Sequence, residues 1–240
     1  MDFGRVLRVV YPDQCASCDA LTDAPHGLCG SCWSDTSFLF GKACHLCGAP
    51  LPGVDDDDDV PCDDCLATPR PWQRGWAALE YQGRARSLIL RLKHSDRTDL
   101  ARPLANWMAD RLRGRLSPDT IVVPVPSHAI RLIQRRYNQS ALLARGIAHH
   151  LSLQLEVDAL LRVRATPKLD GLTAAERFAR LDRAIKPHPR RVERIANRPV
   201  LVVDDVMTSG ATLHAATEAL TAAGAGGVSI AVLARVLKAP

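Results

Sequence analysis

The chain has 240 residues, of which 47% are apolar and 5% aromatic. That length allows one large domain or two unequal ones with an ample core, and so few aromatics give no evident platform for stacking single-stranded nucleic acid. The net charge of +5 divides sharply: residues 1–70 hold 4 Lys/Arg against 12 Asp (−8), and residues 71–240 hold 27 Lys/Arg against 14 Asp/Glu (+13).

The basic part suits a polyanionic substrate or nucleic acid. An apolar run of about 18 residues, the length a membrane helix needs, is absent. Arg5 and Arg8 interrupt the apolar N-terminus, so a signal peptide is not expected there. A cytoplasmic location follows as an expectation, and in that compartment paired cysteines favour metal over disulfides.

All eight cysteines fall in the first 70 residues as four C-x-x-C pairs: Cys15/Cys18, Cys29/Cys32, Cys44/Cys47 and Cys62/Cys65. Two thiolates two residues apart can face one tetrahedral Zn²⁺, and a second pair completes the site. Sequential pairing gives two ribbons and two structural zinc ions. An interleaved pairing, or one metal with four idle cysteines, also fits the spacing. His26 and His45 are less suited as ligands where eight thiols are available. Gly30 and Gly48 suit knuckle turns. The module has too few apolar residues for a core, so metal must hold it. Asp55 to Asp59 reads as a solvated loop. Pro69-Arg-Pro-Trp72 reads as a linker, dividing a zinc-ribbon module (1–70) from a larger domain (71–240).

In the larger domain, Trp76 to Tyr81 reads as a strand. A helix from Gly83 follows, with Leu88, Ile89 and Leu92 on one face and Arg84, Arg86, Arg91, Lys93 and His94 on the other. Lys93 is either one more cation on an exposed face or a contact for an anionic ligand. Leu100 to Leu116 reads as a second helix with Leu104, Trp107, Met108 and Leu112 in the core. Ile121 to Pro126 is a short apolar strand whose prolines argue for an edge. Ser127, His128, Arg131, Arg135 and Arg136 follow it. Tyr137 to Ser140 then leads into a helix from Ala141 to about His150. Arginine forks and amides in such a loop suit a diphosphate. His149-His150 reads as helix-end cations rather than a metal site. Arg162 to Arg177 reads as a basic loop or hood, and Arg180 to Arg198 as surface.

Pro199 to Leu213 carries the sharpest signal. Val200 to Val203 is a buried parallel strand ending in Asp204-Asp205. Thr208-Ser209-Gly210-Ala211-Thr212 then opens a helix with Leu213, Ala216 and Leu220 on one face. Backbone N–H groups at that N-terminus favour an anion. Two carboxylates at a strand's C-terminal end suit hydroxyls at the ligand-binding edge of an α/β sheet. A sugar phosphate such as ribose 5-phosphate has both groups. Val228 to Val236 is a final strand. The glycines before it precede a strand rather than follow one, so they are not a dinucleotide loop.

Val202 to Thr212 resembles the phosphoribosyl diphosphate (PRPP) motif of type I phosphoribosyltransferases. The whole chain resembles the ComF family, which joins a double zinc ribbon to such a domain. Leu92-Lys93-His94, Pro124 to Pro126, Tyr137 to Ser140, Thr166-Pro167 and Leu172 to Arg177 fall where that family has shorter motifs. The chain departs from the family at Arg136, Leu169 and Arg180. The resemblance implies an α/β fold with a mainly parallel sheet flanked by helices. It implies that Asp204 and Asp205 bind the ribose hydroxyls, and that Thr208, Ser209, Gly210, Ala211 and Thr212 cradle the 5′-phosphate. Mg²⁺ would accompany PRPP. The loop after Pro126, with Ser127, Arg135 and Lys93, would stabilise the pyrophosphate leaving group. A nitrogenous acceptor would take the phosphoribosyl group. The alternative is a non-catalytic module of DNA uptake, touching single-stranded DNA or a competence helicase. The acidic ribbons suit a basic protein partner better than DNA.

Overall fold

A computed structural model describes residues 13–22, 27–53, 59–94, 97–128, 136–164, 173–181 and 183–237. Two short helices, α1 (Gly30–Ser34) and α2 (Asp63–Ala67), lie in the cysteine-rich part. Strand β1 (Arg74–Glu80) and helix α3 (Gly83–His94) follow, then a 3-10 turn (Thr98–Leu100) and helix α4 (Ala101–Leu112). Next come β2 (Ile121–Pro124), α5 (Gln139–Leu151), β3 (Gln154–Leu155) and β4 (Leu160–Arg162). Helix α6 (Ala174–Leu181), β5 (Ile185–Pro187) and α7 (Val192–Ile195) precede β6 (Pro199–Met207), α8 (Ala211–Ala222) and β7 (Gly227–Arg235).

Among the described residues the main sheet has the order β1-β7-β6-β2-β3, with every pair parallel. Both faces are covered, which is why its strands read as unbroken apolar runs. Alternation along β6 divides the core. Leu201 and Val203 pack with Leu88, Ile89, Leu92, Leu104, Met108, Leu143 and Ile147 of α3, α4 and α5. Val200 and Val202 face the other way, with Leu213, Ala216 and Leu220 of α8. The fold is thus the expected α/β arrangement of a mainly parallel sheet flanked by helices.

Four local expectations change. The helix expected to reach Leu116 ends at Leu112, because Arg113 takes an extended ψ of 125°. Strand β2 is interior rather than at an edge, lying between β6 and the two-residue β3. Its proline is tolerated because Pro124 ends the strand, and the next donor, Val125 N–H, reaches Val203 O. The segment expected at the surface, Arg180 to Arg198, instead buries Leu181, Ala184, Ile185 and Ile195. Its β5 pairs antiparallel with β4, and α6 leans on α8 through an edge-to-face Phe178–His214 contact at 5.2 Å. Residues 165–172 of the expected hood lie outside the described residues. Finally, Pro69–Trp72 is docked rather than free: Trp72 is 3% exposed, and its Nε1 donates to Leu46 O at 2.6 Å.

The cysteine-rich part also lies against the sheet. Leu39 N–H donates to Ala78 O, Glu80 N–H to Ser37 O and Gly75 N–H to His45 O, so the outer edge of β1 is covered. Cys44, Cys47 and Cys65 share a core cluster with Leu39, Trp72 and Ala77. The second ribbon therefore has an apolar core, borrowed from its neighbour. Trp33, Phe38 and Phe40 form an aromatic ladder that meets Trp107 of α4, with Phe38–Trp107 centroids 5.1 Å apart. Charge follows the same seam. Arg74–Asp59, Arg84–Asp35, Arg91–Asp19, Arg97–Asp19 and Arg235–Asp64 are ion pairs. Five arginines of the larger domain thus answer four of the ribbons' aspartates, although the exposed pairs contribute little each.

Gly48 has φ +71°, and a Cβ there would lie 2.4 Å from Ala77 N on β1. Gly30, by contrast, opens α1 with no positive φ, so only one of the two expected knuckle glycines has the unusual backbone. Gly48→Ala is expected to push the knuckle off β1 and cost about 2 kcal/mol or more. Thermal denaturation would show the drop, whereas Gly30→Ala, with nothing within 4 Å of its Cβ, should leave the midpoint almost unchanged.

Candidate functional site

The eight cysteines form two quartets: Cys15, Cys18, Cys29 and Cys32, and Cys44, Cys47, Cys62 and Cys65. The sequential pairing holds. Within each quartet all Sγ atoms lie within 4.8 Å of one another. Cys18–Cys29 and Cys47–Cys62 are each 3.6 Å apart, close to the roughly 3.8 Å sulfur spacing of a tetrahedral zinc site. Backbone donors turn towards sulfur: Cys29 N–H and Cys62 N–H reach Cys15 Sγ and Cys44 Sγ at 3.3 Å.

The thiols divide their protons unevenly. The Ser31 hydroxyl and the Cys32 N–H pull Cys29 down to about 6, while burial and Cys18 push Cys32 up to about 12. Hydrogen bonds from Cys47 and Cys65 lower Cys44, and those with Cys44 and Cys65 raise Cys47. Four crowded sulfurs cannot all be thiolates without a cation, so the donor set fits Zn²⁺. His45 stands outside the quartets, with a buried Nδ1 that has no partner among the described residues. His26 lies outside the described residues. His150 bonds Arg113 and Asn106, as a helix-end residue would.

The second site lies at the C-terminal end of β6. The strand continues to Met207, so Asp204 and Asp205 sit within it rather than after it. Asp204 Oδ1 accepts from Ser140 Oγ at 2.8 Å and from Asp205 N–H at 2.9 Å. Lys93 Nζ, near the end of α3, lies 3.0 Å from Asp205 Oδ1. Lys93 therefore lies beside the acidic pair, mostly buried, rather than on an exposed helix face. Burial, then the Asp205 charge, pushes the Asp204 carboxyl up to about 7, against the pull of Ser140 and Lys93. The residue as a whole is half-buried.

Thr208, Ser209 and Gly210 make the loop between β6 and α8. Gly210 caps α8 at φ +84°, and a Cβ there would meet Met207 Cε at 2.8 Å and Arg70 Nη1 at 2.9 Å. The positive φ favours glycine, and any larger residue would also have to displace the tips of Met207 and Arg70. None of the N–H groups of Thr208, Ser209 and Gly210 donates to a loop or cap carbonyl among the described residues. Ala211 and Thr212 form the first turn of α8 and line the same cleft, with Asp204, Met207 and Leu213.

The other wall starts after β2. Ser127 is half-buried there, while Arg135 lies outside the described residues. The far end of that loop is pinned: Tyr137 OH donates to Leu92 O at 2.8 Å, and Asn138 Nδ2 to Val125 O at 2.9 Å. Asn138 also caps α5 through Ser140 N–H, which aims the Ser140 hydroxyl at Asp204. Ser140 was legible only as part of an Asn-Gln-Ser helix start. Arg177 of α6, whose Nε has no partner among the described residues, also lines the cleft. Arg70 and Arg235 reach the loop from behind, and no sequence signal marks either one.

Comparison with known proteins agrees with this geometry. A family described as double zinc ribbon domain matches residues 6–66, and one described as phosphoribosyl transferase domain matches residues 100–239. DNA utilization protein YhgH of Escherichia coli K12 is 33% identical over 218 residues, covering 88% of this chain and 91% of the relative. The protein of the same name in Salmonella typhimurium is 33% identical, covering 81% and 84%. Competence protein F of Haemophilus influenzae is 28% identical, covering 88% and 92%. With both halves matched in order and these relatives aligned along most of its length, the chain belongs to the ComF family of double-zinc-ribbon phosphoribosyltransferase-domain proteins.

Proposed function

We propose that the chain binds PRPP with Mg²⁺ and transfers its phosphoribosyl group to a nitrogenous acceptor. The observation that carries this is the Asp204–Asp205 pair beside a glycine-capped helix N-terminus whose loop N–H groups donate to no loop or cap carbonyl among the described residues. The carboxylates would accept from the ribose hydroxyls, and the loop would hold the 5′-phosphate. Lys93 would exchange Asp205 for the diphosphate, and Ser127 and Arg135 would complete the leaving-group side. The C1–N bond forms as the C1–O bond breaks. Diphosphate leaves with the electron pair, and the acceptor nitrogen gives its proton to water. Positioning and charge stabilisation suffice for such a displacement, so no nucleophilic side chain is needed.

Among the described residues only the cysteine quartets bring three or more metal-ligating side chains together. Mg²⁺ would be held mainly by the diphosphate oxygens of the bound ligand, where it would neutralise leaving-group charge. A PRPP-consumption screen across nucleobases and amines, with and without DNA, tests the reading. Pyrophosphate release with one acceptor class supports it, and none with any acceptor opposes turnover.

The names of the relatives favour a setting in DNA utilisation or competence, and with it a second reading as a DNA- or helicase-associated module. A salt-dependent mobility shift with single-stranded DNA, unaffected by loss of the PRPP site, would favour that reading. No helix among the described residues is long and apolar enough to cross a membrane.

Asp204 also sets a pH dependence. Its raised pKa means the native state keeps a proton that the unfolded chain has lost, so its contribution to stability falls as pH rises from about 4 to 7. Ribose hydroxyls donate best to the ionised form. PRPP affinity is expected to rise up to about tenfold per pH unit below 7, then level off. Calorimetry from pH 5.5 to 8.5 checks it. Asp204→Asn, run alongside, isolates the ligand's own titration.

A further inference from the structure

Three successive carbonyls, Met207 at the end of β6 and Thr208 and Ser209 of the phosphate loop, are gripped from behind by two arginines. Arg235, 3% exposed, donates through Nη1 to Thr208 O at 2.6 Å, Met207 O at 3.3 Å and Val236 O at 2.6 Å. Arg70 Nη1 donates to Ser209 O at 2.7 Å. A trans peptide is planar, so each held carbonyl turns the next N–H the opposite way. Holding Met207, Thr208 and Ser209 thereby aims the N–H groups of Thr208, Ser209 and Gly210 away from the arginines.

Each arginine is itself held by one knuckle of the second ribbon. Arg235 Nη2 donates to Asp64 Oδ2 at 3.2 Å, and Asp64 lies between Cys62 and Cys65. The Arg70 guanidinium sits 5.5 Å from the Trp72 ring centroid. Trp72 Nε1 donates to Leu46 O, and Leu46 lies between Cys44 and Cys47. Both C-x-x-C turns of one quartet thus end, through one arginine each, on the same loop.

We propose that the second ribbon is a positioning element of the phosphate loop: the closed Cys44/Cys47/Cys62/Cys65 quartet, acting through Asp64–Arg235 and Leu46–Trp72–Arg70, keeps the loop's N–H groups aimed at a ligand phosphate. The proposal rests on the reading of Thr208 to Thr212 as a 5′-phosphate cradle. Zinc occupancy of this quartet becomes a condition of phosphate binding without the ribbon having to touch the ligand. Arg235 serves as a fork, bridging three carbonyls and a carboxylate, whereas Arg70 places a single donor on a single carbonyl.

Calorimetry on the full-length, zinc-loaded protein tests this, with ribose 5-phosphate and inorganic pyrophosphate as probes and zinc content measured in parallel. Asp64→Asn and Arg70→Gln are expected to weaken ribose 5-phosphate about tenfold, as loss of a charge-assisted hydrogen bond does, with pyrophosphate binding and zinc content kept. Arg70→Lys should restore binding. Arg235→Lys should not, since an ammonium cannot span the fork's partners. Chelating the zinc should speed hydrogen exchange at Ser209 and Gly210 and lower ribose 5-phosphate affinity. Should Arg235→Lys fail to fold, Asp64→Asn, at a side chain 25% exposed, still carries the test. Unchanged ribose 5-phosphate binding in Asp64→Asn and Arg70→Gln overturns the proposal and leaves the ligand reading intact. An equal loss of both probes also overturns it, because general collapse is then the cause. Failure of the unmodified protein to bind ribose 5-phosphate overturns the ligand reading itself, and the proposal with it.

Discussion

Asp204→Asn/Asp205→Asn is expected to abolish PRPP binding in calorimetry. Each carboxylate offers charge-assisted acceptance worth about 1.5–3 kcal/mol, so losing both costs roughly two to four orders of magnitude in affinity. The fold should survive. Asp204 is a partly desolvated acid that Ser140 and the Asp205 N–H hold in place, and asparagine removes its charge without changing its size. The single variants should separate by ligand. Asp205→Asn frees Lys93 from its 3.0 Å pairing, so it should tighten inorganic pyrophosphate while weakening ribose 5-phosphate. Asp204→Asn leaves that pair intact and should affect only the ribose side. Unchanged PRPP binding in the double variant would falsify the assignment of the acidic pair.

The second large effect is on stability. Removing zinc from the second quartet, by Cys47→Ser or by chelation, is expected to lower stability by several kcal/mol, a fraction of the about 10–16 kcal/mol that structural zinc supplies to isolated fingers. Cys44, Cys47 and Cys65 are nearly inaccessible and share a core with Leu39, Trp72, Ala77 and Met207. Loss of closure there exposes that seam and uncovers the edge of β1, which invites aggregation. Cys18→Ser in the first quartet should cost less, since Cys18 is exposed and Cys29 half-exposed. Scanning calorimetry on the two variants gives the comparison. An equal or larger loss for Cys18→Ser would contradict the ranking.

The elements that were legible in the sequence are those whose signal is local. Val200 to Val203 is buried on both faces, and its run of apolar residues says so. The helix from Ala211 shows its period within twelve residues. The quartets follow from C-x-x-C spacing, because a knuckle needs only four residues to place two sulfurs. The small antiparallel sheet of β4 and β5 was not legible. Leu160–Arg162 and Ile185–Pro187 are three-residue strands, too short for any alternation, and what buries Ile185 is contact with α8 and its surroundings rather than a local pattern. The prolines of β2 misled for a related reason: Pro124 costs nothing at a strand's last position, and position is set by the neighbours. Trp72 looked like linker because prolines flank it, yet a partner 26 residues earlier, Leu46 O, decides its burial.

The sequence by itself determined the zinc chemistry, the parallel α/β class and the diol-and-phosphate character of the Pro199–Leu213 stretch, since each depends on residues a few positions apart. Only the tertiary structure decided how the opposite charges of the two halves are used. The −8 and +13 stretches look like surfaces awaiting outside partners, but Asp19, Asp35, Asp59 and Asp64 meet arginines of the larger domain. It also decided that Lys93 pairs with Asp205 and that Ser140 serves Asp204 from 64 residues away. Arg235, 171 residues from Asp64, shows the reason: an ion's partner is fixed by chain closure in space, and side-chain charge carries no period from which that closure could be read.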